Sequence, residues 1–410
     1  MDESLSKCKS AQKELLLLSG EKRNELLERI EVAITKNGDH ILKANAIDLE
    51  NAEKNGMADA MKDRLRLDEK RLKGIAEGIK EVRELPDYVG EVIEELTPKS
   101  GIKIKKIRVP FGVICAIFES RPNVAADIAC LCLKSGNACV LKGGSDAINT
   151  NKAIVSVMKN AVSDILSPDV ITLIESTDRK TTDELITKKE YIDLLIPRGS
   201  KRLIDYVVQN AKIPFIETGA GNCHLYVHKA ADVKKAVYIA INAKCQRPSV
   251  CNAIETILVD DDIKEEFLKA LYEEFTSLGV TIYGCEKTRE IIDVLPATEE
   301  DYYREYNDYK VAVKVVEGED EAIAHINKYS TKHSEAIITE DEGAKERFFK
   351  EIDSACVYAN ASTRFTDGGE FGYGAEIGIS TSKLHARGPM GIREMTTYKF
   401  IIEGNGEVRQ

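Results

Sequence analysis

The chain has 410 residues, enough for two or three domains, and its composition and charge exclude several classes of protein. A formal net charge of −11, without a run of five or six like charges, argues against a nucleic-acid-binding arm or a basic membrane-binding segment. Ten cysteines without a CxxC pair are too sparse for a disulfide scaffold, and no signal peptide or membrane-spanning run accompanies them, so we expect reduced thiols in the cytoplasm.

The first part of the chain predicts helices followed by a hairpin. Residues 10–85 carry apolar side chains at helical spacing among lysines and glutamates, which indicates several amphipathic helices. Residues 90–109 change to an alternating pattern around a turn at 97–101. Because half of this hairpin is polar, we expect it to be exposed or to lie at an interface.

From residue 113 onward, short apolar strands alternate with amphipathic helices. We predict strands at 113–118, 138–142, 170–175, 191–197 and 213–218, and helices at 125–134, 147–166 and 200–211. A second block begins near residue 225, with a strand at 256–259, a helix at 263–278 and a strand at 311–316. This rhythm is typical of parallel sheets covered on both faces, which bind ligands at the carboxyl ends of their strands.

The C-terminal part changes character again. Residues 366–391 are rich in glycine and are expected to form a functional loop, and residues 396–403 are expected to form a closing strand. The usual signatures GxGxxG, GxxxxGK[ST], GxSxG and HExxH do not occur. The missing GxGxxG argues against an ordinary dinucleotide fingerprint, although it does not argue against dinucleotide binding itself.

A pair of histidines raises the question of a metal site. On a helix, His224 and His228 of HLYVH would face the same side as metal ligands. However, this segment alternates like a strand and offers no third ligand nearby. We therefore interpret both histidines as ordinary strand positions and expect no metal.

The segment NAKCQRPSVCNAIETILV, residues 242–259, contains the most informative cysteine. Cys251 precedes a predicted strand and follows Arg247, so its thiol could lie on a turn beside a guanidinium that favours the thiolate. From these residues alone, a nucleophile and a small buried side chain both remain open. The same holds for Cys245, six residues earlier. Three cysteines in apolar runs are interpreted as core residues: Cys130, Cys132 and Cys139.

Six longer motifs occur in the order and spacing of one enzyme family. They are VPFGVICAIFESRPNVAADIA, GNACVLKGGSDA, IPRGSKRLIDYV, IETGAGNCHLYV, NAKCQRPSVCNA and HARGPMGIREMTTYKF. Over nearly its whole length the chain resembles the glutamate-5-semialdehyde dehydrogenases of the aldehyde dehydrogenase superfamily. Its RPSVC segment differs from the GQxC pattern of the hydrolytic members of that superfamily.

The resemblance implies an α/β fold of the aldehyde dehydrogenase type, with a Rossmann-type cofactor domain, an α/β catalytic domain and a small β oligomerisation element. We expect an NADP-binding domain at 1–89 and 113–222 and a catalytic domain at 223–393. The hairpin at 90–112 and the C-terminal strand at 394–410 would form the oligomerisation element of a homo-oligomer, a dimer or a tetramer. We also expect a complete, monofunctional chain, because no kinase segment precedes residue 1.

The resemblance also implies three residues at the reacting carbon. Cys251 matches the family nucleophile, and Asn123 matches the asparagine whose amide forms an oxyanion hole with the N–H of the nucleophile. Glu217 matches the glutamate that activates water in hydrolytic relatives. Because hydrolysis is a side reaction for a reductase, we expect Glu217 at the site but leave its role open.

Four residues match cofactor-binding positions, which implies NADPH or NADP as the cofactor. Lys142 matches the lysine that contacts the adenosine ribose or its 2′-phosphate, with a solvated strand-end lysine as the alternative. Gly199 and Ser200 match the turn that opens a helix near the dinucleotide phosphates, where a helix N-terminus suits an anion; a simple strand-to-helix connection is the alternative. Glu305 lies where a glutamate of the superfamily holds the nicotinamide ribose.

Three arginines flank the motifs and could bind the substrate. A guanidinium matches both a phosphate and a carboxylate in bidentate geometry, although any single arginine is more often a surface residue. In a chain with a net charge of −11, such groups would supply the local positive charge that a doubly anionic substrate requires. The candidates are Arg121, Arg247 and Arg387.

The activity that the resemblance implies is the NADPH-dependent reduction of L-glutamate 5-phosphate to L-glutamate 5-semialdehyde and phosphate in proline biosynthesis, through a thioester on Cys251. The product should cyclise spontaneously to 1-pyrroline-5-carboxylate, and the substrate implies a functional link to glutamate 5-kinase. Two alternatives stay open: another acylating or hydrolytic aldehyde dehydrogenase, and a non-catalytic dinucleotide-binding protein. Neither a nucleic-acid partner nor a membrane partner is expected.

Overall fold

The computed structural model describes residues 1–119 and 121–409, without the side chains of residues 60 and 201. The helices are α1 Asp2–Leu16, α2 Gly20–Lys36, α3 Gly38–Lys54, α4 Asp59–Leu65, α5 Glu69–Glu84, α6 Asn123–Lys134, α7 Ile148–Val162, α8 Arg179–Leu185, α9 Lys201–Asn210, α10 Val233–Cys245, α11 Lys264–Ser277, α12 Glu286–Arg289, α13 Glu299–Tyr303, α14 Glu319–Tyr329 and α15 Glu342–Glu351. The strands are β1 Val92–Leu96, β2 Lys103–Pro110, β3 Val113–Phe118, β4 Ala138–Gly143, β5 Ile171–Leu173, β6 Leu194–Arg198, β7 Cys223–Val227, β8 Ile254–Asp260, β9 Thr281–Gly284, β10 Leu295–Pro296, β11 Lys310–Val316, β12 Ser334–Ile338, β13 Cys356–Ala359, β14 Gly378–Ser380, β15 Gly388–Met390 and β16 Thr396–Glu403.

The described residues fall into two units. The first unit comprises those of Met1–Glu217, Gly372–Gly378 and Met390–Gln410, and the second comprises Thr218–Phe371 and Ile379–Pro389. The division after Glu217 precedes the domain boundary that we expected at residue 222. None of the helices in the described part of the chain combines the length and the apolar character that crossing a membrane requires.

The first unit begins with the predicted helices. Helix α2 buries one stripe of apolar side chains at helical spacing: Leu26, Leu27, Ile30 and Ile34. Each such burial contributes about 1.5–3 kcal/mol. The hydroxyl of Ser19 caps this helix, because it accepts a hydrogen bond from the Lys22 N–H at 3.3 Å. The helical prediction for residues 10–85 is therefore confirmed, although α1 already begins at Asp2.

A four-stranded parallel sheet follows, in the order β5-β4-β3-β6. All residues of β3 and β4 are buried, which is why both strands read as continuous apolar runs. At the end of β3, Phe118 pairs with Gly143 of β4 and with Arg198 of β6. The carboxyl ends of these three strands therefore meet at one edge of the sheet, and the candidate residues Lys142 and Gly199 lie on that edge.

Two predicted strands of this region are shorter than expected. The segment at 213–218 makes only two isolated bridges, Phe215 with Leu195 and Thr218 with Ser380, and the neighbouring Pro214 has no N–H to extend the first into a ladder. The segment at 170–175 begins with a turn of 3₁₀-helix at Pro168–Val170, so that only Ile171–Leu173 remains as a strand.

The hairpin and the C-terminal strand form one antiparallel sheet, in the order β1-β2-β16. This sheet belongs to the first unit. One reason is Asn137, whose side chain accepts a hydrogen bond from the Gly112 N–H and donates one to the Met395 carbonyl, both at 2.9 Å. A single buried side chain thus ties the approach to β3 and the approach to β16 together.

The second unit contains a seven-stranded sheet in the order β10-β9-β11-β8-β7-β12-β13, whose neighbours all run parallel. Helix α11 packs Phe267 and Leu271 into the same apolar cluster as Ile257 and Val259 of β8. This agrees with the predicted strand at 256–259 and helix at 263–278. The turn between α10 and β8 carries Cys251, so the central strands of this sheet position the candidate nucleophile.

The two histidines lie on β7 and directly after it, as their alternating pattern indicated. His224 Nδ1 lies 3.1 Å from a carboxylate oxygen of Glu335, and His228 Nδ1 lies 2.8 Å from the Thr339 hydroxyl. Both rings are buried. No group of three or more potential metal-ligating side chains occurs within residues 1–119 and 121–409.

Candidate active site

Cys251 lies half-buried on the turn between α10 and β8, and a hydrogen bond from a buried side chain fixes its backbone. Its carbonyl oxygen accepts a hydrogen bond from the thiol of Cys223 at 3.1 Å. Within the turn, the N–H of Ala253 donates to the carbonyl of Val250 at 3.0 Å. Burial raises the pKa of Cys223 well above its ordinary value, so this thiol stays protonated and acts as a donor.

A glycine lets a second backbone segment approach this turn. A Cβ atom added to Gly221 would lie 1.4 Å from the carbonyl oxygen of Cys251, so no other residue fits without displacing the turn. The N–H of Gly221 donates to a carboxylate oxygen of Glu305 at 2.8 Å. The second unit therefore brings Glu305, a candidate for cofactor binding, close to the turn that carries the candidate nucleophile.

The residue after the nucleophile anchors the other side of the turn. The side-chain amide of Asn252 donates to the Thr366 carbonyl at 2.8 Å, and its backbone carbonyl accepts from the Thr363 hydroxyl at 2.6 Å. The amide oxygen of Asn252 accepts a hydrogen bond from Nη1 of Arg364. Nε of Arg364 donates to the side-chain oxygen of Gln246 at 2.8 Å, so this arginine bridges the beginning and the end of the nucleophile loop, residues 246–252.

Three arginines of the second unit differ in what surrounds their charge. Arg387 donates to the Asp353 carboxylate at 2.9 Å, and hydrogen bonds from Lys383 and Arg387 lower the pKa of this carboxyl to about 2. In contrast, no carboxylate among the described residues forms an ion pair with Arg364 or Arg247. Burial lowers the pKa of the Arg364 guanidinium, and the neighbouring charge of Arg247 acts in the same direction.

A buried ion pair lies beneath the same turn. Nζ of Lys244 on α10 lies 2.6 Å from a carboxylate oxygen of Glu255 on β8, and both side chains are fully buried. The N–H of Asn307 adds a hydrogen bond to the other oxygen of Glu255 at 3.2 Å. Burial raises the pKa of Glu255 to about 7 against the opposing effect of Lys244. This pair connects the two elements that flank the nucleophile loop.

In the first unit, the turn at Gly199 and Ser200 already binds an anion, the carboxylate of Glu119. The N–H of Ser200 donates to this carboxylate at 2.7 Å, and the Ser200 hydroxyl donates at 3.1 Å while capping α9. A Cβ atom added to Gly199 would lie 2.5 Å from the carboxylate. Because Glu119 stands where an external anion would bind, the residues present fit the phosphates of a dinucleotide.

Lys142 lies at the carboxyl end of β4 and is only 5% exposed, which excludes the alternative of a solvated strand-end lysine. Its Nζ donates to the carbonyl of Gly143 at 3.1 Å. Burial lowers the pKa of this ammonium group. A buried cation at the edge of the sheet fits a contact with a polar or anionic group of a bound dinucleotide.

The remaining candidates of the first unit are two residues near α6 and the last residue of its first segment, Met1–Glu217. Asn123 is exposed at the start of α6, and its amide donates to the Asp127 carboxylate at 2.8 Å. Burial raises the pKa of Asp127 to about 6, while Asn123 and Arg198 act in the opposite direction. Arg121 is exposed just before this helix. Glu217 is half-buried at the end of that first segment.

Comparison with known proteins decides the family. Residues 1–289 match the model of the aldehyde dehydrogenase family. The gamma-glutamyl phosphate reductase of Dictyoglomus thermophilum is 52% identical over 410 residues, covering 100% of this chain and 99% of that protein. The one from Clostridium perfringens is 50% identical over 405 residues, with 98% of each chain covered.

Solved structures agree with these relatives. The crystal structure of gamma-glutamyl phosphate reductase from Thermotoga maritima is 48% identical, covers 100% of this chain and 99% of its own, and superposes with a TM-score of 0.98. The chain belongs to the gamma-glutamyl phosphate reductase family of aldehyde dehydrogenases. An acetylating aldehyde dehydrogenase from Geobacillus thermoglucosidasius, 17% identical over 100% of this chain and 97% of its own, shares the fold with a TM-score of 0.71. The predicted aldehyde dehydrogenase fold is confirmed.

Within this reductase-family chain, the predicted site residues divide between the units. The second unit holds Cys251, Glu305, Arg247 and Arg387, and the first holds Asn123, Arg121, Lys142, Gly199, Ser200 and Glu217. Sequence reasoning missed five further residues at these sites: Glu119, Asp127, Gly221, Cys223 and Arg364. Four of them, Glu119, Asp127, Gly221 and Cys223, fall inside the family motifs quoted above, and Arg364 lies just before the glycine-rich segment.

Proposed function

We propose that this chain reduces L-glutamate 5-phosphate to L-glutamate 5-semialdehyde and phosphate with NADPH, as a step of proline biosynthesis. The observation that carries the proposal is the full-length identity of about half with relatives named gamma-glutamyl phosphate reductase. The construction of the turn around Cys251, with a glycine behind it and an amide anchor after it, supports the proposal.

In the proposed reaction, the thiolate of Cys251 attacks the acyl carbon of the substrate. The side-chain amide of Asn123 and the N–H of Cys251 would donate to the oxyanion, an interaction whose loss typically costs about 10²- to 10³-fold in rate. The carbon–oxygen bond to phosphate breaks, the electron pair leaves with the phosphate, and a thioester on Cys251 remains. When bound, NADPH supplies the hydride that reduces the thioester carbon. Cys251 then departs as a thiolate.

We propose that the dinucleotide is bound by four residues: Lys142, Gly199, Ser200 and Glu305. The anion-binding turn at Ser200 would receive its phosphates, so the carboxylate of Glu119 must withdraw or share the donors. Glu217 is proposed as a site residue whose role stays open. The function also requires the residues 1–89 and 113–222 to act as the cofactor domain and 223–393 to act as the catalytic domain.

The antiparallel sheet supports a proposal about assembly. Its outer strands β1 and β16 expose a set of large apolar side chains that includes Val92, Ile93, Leu96, Tyr398, Phe400 and Ile402. Exposed apolar surface of this kind marks interaction sites, so we propose a homo-oligomer through the residues 90–112 and 394–410. Because a reactive thiol is sensitive to oxidation, we also propose that the protein acts in the reducing cytoplasm. A kinase that phosphorylates glutamate would supply the acyl phosphate.

One assay tests the proposal against its rivals. The purified protein is given glutamate 5-semialdehyde with NADP or NAD, in the presence of phosphate, coenzyme A or neither, and nicotinamide reduction is followed. We expect turnover that depends on phosphate and is faster with NADP, and we expect replacement of Cys251 by Ala to abolish it. A requirement for coenzyme A, or turnover with neither addition, would identify another aldehyde dehydrogenase. No turnover under any condition would favour the non-catalytic alternative.

A further inference from the structure

Arg364 occupies a particular position relative to the candidate nucleophile. Its guanidinium bonds to the side chains of Asn252, the residue directly after Cys251, and of Gln246 at the start of the same loop. In the substrate of the proposed function, the phosphate is attached to the carbon that Cys251 attacks. Three further carbons separate that carbon from the α-carboxylate. A cation fixed beside the nucleophile loop is therefore placed for the phosphate rather than for the α-carboxylate.

The charge of this guanidinium is not neutralised by its partners. Both of these hydrogen-bond acceptors are neutral amide oxygens, and no carboxylate among residues 1–119 and 121–409 forms an ion pair with Arg364. The carboxylate of Asp367, on the same segment, is instead engaged by the N–H groups of Gly369 and Glu370 at 2.9 and 3.3 Å. Arg387, by contrast, is already paired with Asp353.

The guanidinium groups of Arg364 and Arg247 repel each other, and a bound anion would offset this repulsion. Burial lowers the pKa of Arg364, and Arg247 lowers it further, whereas Asp367, Cys251 and Glu370 act in the opposite direction. An anion bound between the two guanidinium groups would relieve this repulsion, and its negative charge would be balanced by groups that are already in place. The two hydrogen bonds also fix the planar fork of Arg364 before a ligand arrives, which reduces the entropy lost on binding.

We propose that Arg364, with Arg247, binds the phosphate group of the acyl phosphate beside Cys251. The proposal rests on the proposed function, because it identifies the substrate group that this arginine holds. In the reductive direction Arg364 orients the leaving phosphate, and in the oxidative direction it holds the inorganic phosphate that attacks the thioester. Arg387 then has a structural role through its ion pair with Asp353 and takes no part in binding this phosphate.

The first test compares the variants Arg364→Gln and Arg364→Lys with the wild type in semialdehyde oxidation. We expect Arg364→Gln to raise the KM for phosphate by about 10- to 100-fold, the usual cost of losing a charge-assisted hydrogen bond, while the KM for the semialdehyde changes little. Arg364→Lys retains the charge without the fork and should give an intermediate KM. The matched control is Arg347→Gln on α15, where the arginine forms ion pairs with Glu351 and Asp320.

The second test needs neither cofactor nor turnover. Cys251 is alkylated with neutral iodoacetamide and with anionic iodoacetate, and the ratio of the two rates reports positive charge beside the thiol. In Arg364→Gln, we expect the iodoacetate rate to fall several-fold more than the iodoacetamide rate. We also expect inorganic phosphate to protect Cys251 in the wild type but not in this variant. A purely structural role in holding Asn252 would lower both rates equally.

Each contrary result overturns the inference. An unchanged KM for phosphate in Arg364→Gln, with phosphate-dependent turnover intact, removes Arg364 from the phosphate site while leaving the proposed function standing. A raised KM for the semialdehyde alone assigns Arg364 to the α-carboxylate. Equal loss of both alkylation rates reduces it to a support of the loop. If the wild type shows no phosphate-dependent turnover, the proposed function itself fails, and that outcome is visible before any variant is made.

Discussion

The two units hold their candidate anion-binding groups in opposite ways. In the first unit, Ser200 donates to the carboxylate of Glu119, and Asn123 donates to the carboxylate of Asp127. In the second unit, Arg364 donates to amide oxygens and forms no ion pair with a described carboxylate. In the first unit, carboxylates of the protein already occupy the candidate donors. In the second unit, the guanidinium of Arg364 is available to bind an anionic ligand.

This difference has an energetic consequence. Where the protein already provides a carboxylate, a ligand must displace that carboxylate in order to bind. The apparent affinity of the ligand is then its intrinsic affinity multiplied by the fraction of molecules in which the carboxylate has left the site. A ligand that meets an uncompensated guanidinium pays no such cost. We therefore expect dinucleotide binding to be limited by competition with the protein and phosphate binding to be limited by the arginine itself.

The largest expected effect comes from the buried ion pair between Lys244 and Glu255, which lies next to the nucleophile loop. Lys244→Met leaves Glu255 buried without its partner, which should lower the free energy of unfolding by about 3–5 kcal/mol. The double variant Lys244→Met/Glu255→Leu should recover most of this loss. Urea unfolding of the three proteins measures both values, and a single variant as stable as the wild type would show that the pair does not contribute.

The same pair predicts a pH dependence. Burial raises the pKa of Glu255 from 4.5 to about 7, so the folded state binds this proton more tightly than the unfolded state. Its contribution to stability is therefore complete below pH 4.5 and is lost as the pH rises through 7. The penalty of Lys244→Met should accordingly be larger at pH 8 than at pH 5.5.

The next effect concerns the close approach behind the nucleophile. Gly221→Ala inserts a Cβ atom at 1.4 Å from the Cys251 carbonyl oxygen, so the turn must shift. A misplacement of about 1 Å typically costs about 10²-fold in rate, and we expect kcat to fall by this order. The control is Gly74→Ala on α5, where an added Cβ meets nothing within 4 Å. Equal activity of Gly221→Ala and the wild type would mean that the turn tolerates displacement.

A smaller effect is expected at the carboxylate that holds Asn123. Burial raises the pKa of Asp127 from 3.8 to about 6, so below pH 6 this group becomes protonated and holds the amide less strongly. We expect the wild-type kcat to decline below pH 6 and Asp127→Asn to lack this decline. Because the folded state binds the proton more tightly, the wild type should also lose stability relative to Asp127→Asn as the pH rises from 4 to 6. Identical pH profiles would remove Asp127 from the positioning of Asn123.

The smallest effect tests the competition in the first unit. Glu119→Gln keeps an acceptor for the Ser200 N–H but removes the charge that competes with phosphate. We expect NADP to bind several-fold more tightly, as measured by calorimetry, and the gain to shrink at high salt. Glu81→Gln, an exposed position on α5, controls for the change in net charge. Weaker binding by Glu119→Gln would contradict the comparison between the units.

The sequence could predict the buried strands because their side chains are apolar on both faces. The strands β3 and β4 read as continuous apolar runs, and the hairpin β1–β2 shows its alternation directly. The strands β9 and β10 escaped prediction because they are short and include glycine and proline at their ends. For the candidate site, the family motifs selected Cys251 and Asn123.

What the sequence could not predict are contacts between distant segments. Arg364 meets Asn252 across more than one hundred residues, and Glu119 meets Ser200 across about eighty. No periodicity or spacing encodes such a pairing, since it depends on how helices and strands are arranged in space. For the same reason, the sequence could not predict that Arg387 pairs with Asp353, which lies in another segment.

The most direct test of the account is whether Cys251 carries the acyl group. The protein is mixed with glutamate 5-semialdehyde and excess NADP without phosphate, and intact and peptide mass spectrometry follow the adduct. We expect a burst of one equivalent of NADPH, one glutamyl group on the peptide that contains Cys251, and release of that group when phosphate is added. Continued turnover without phosphate, or an adduct elsewhere in the chain, would contradict it.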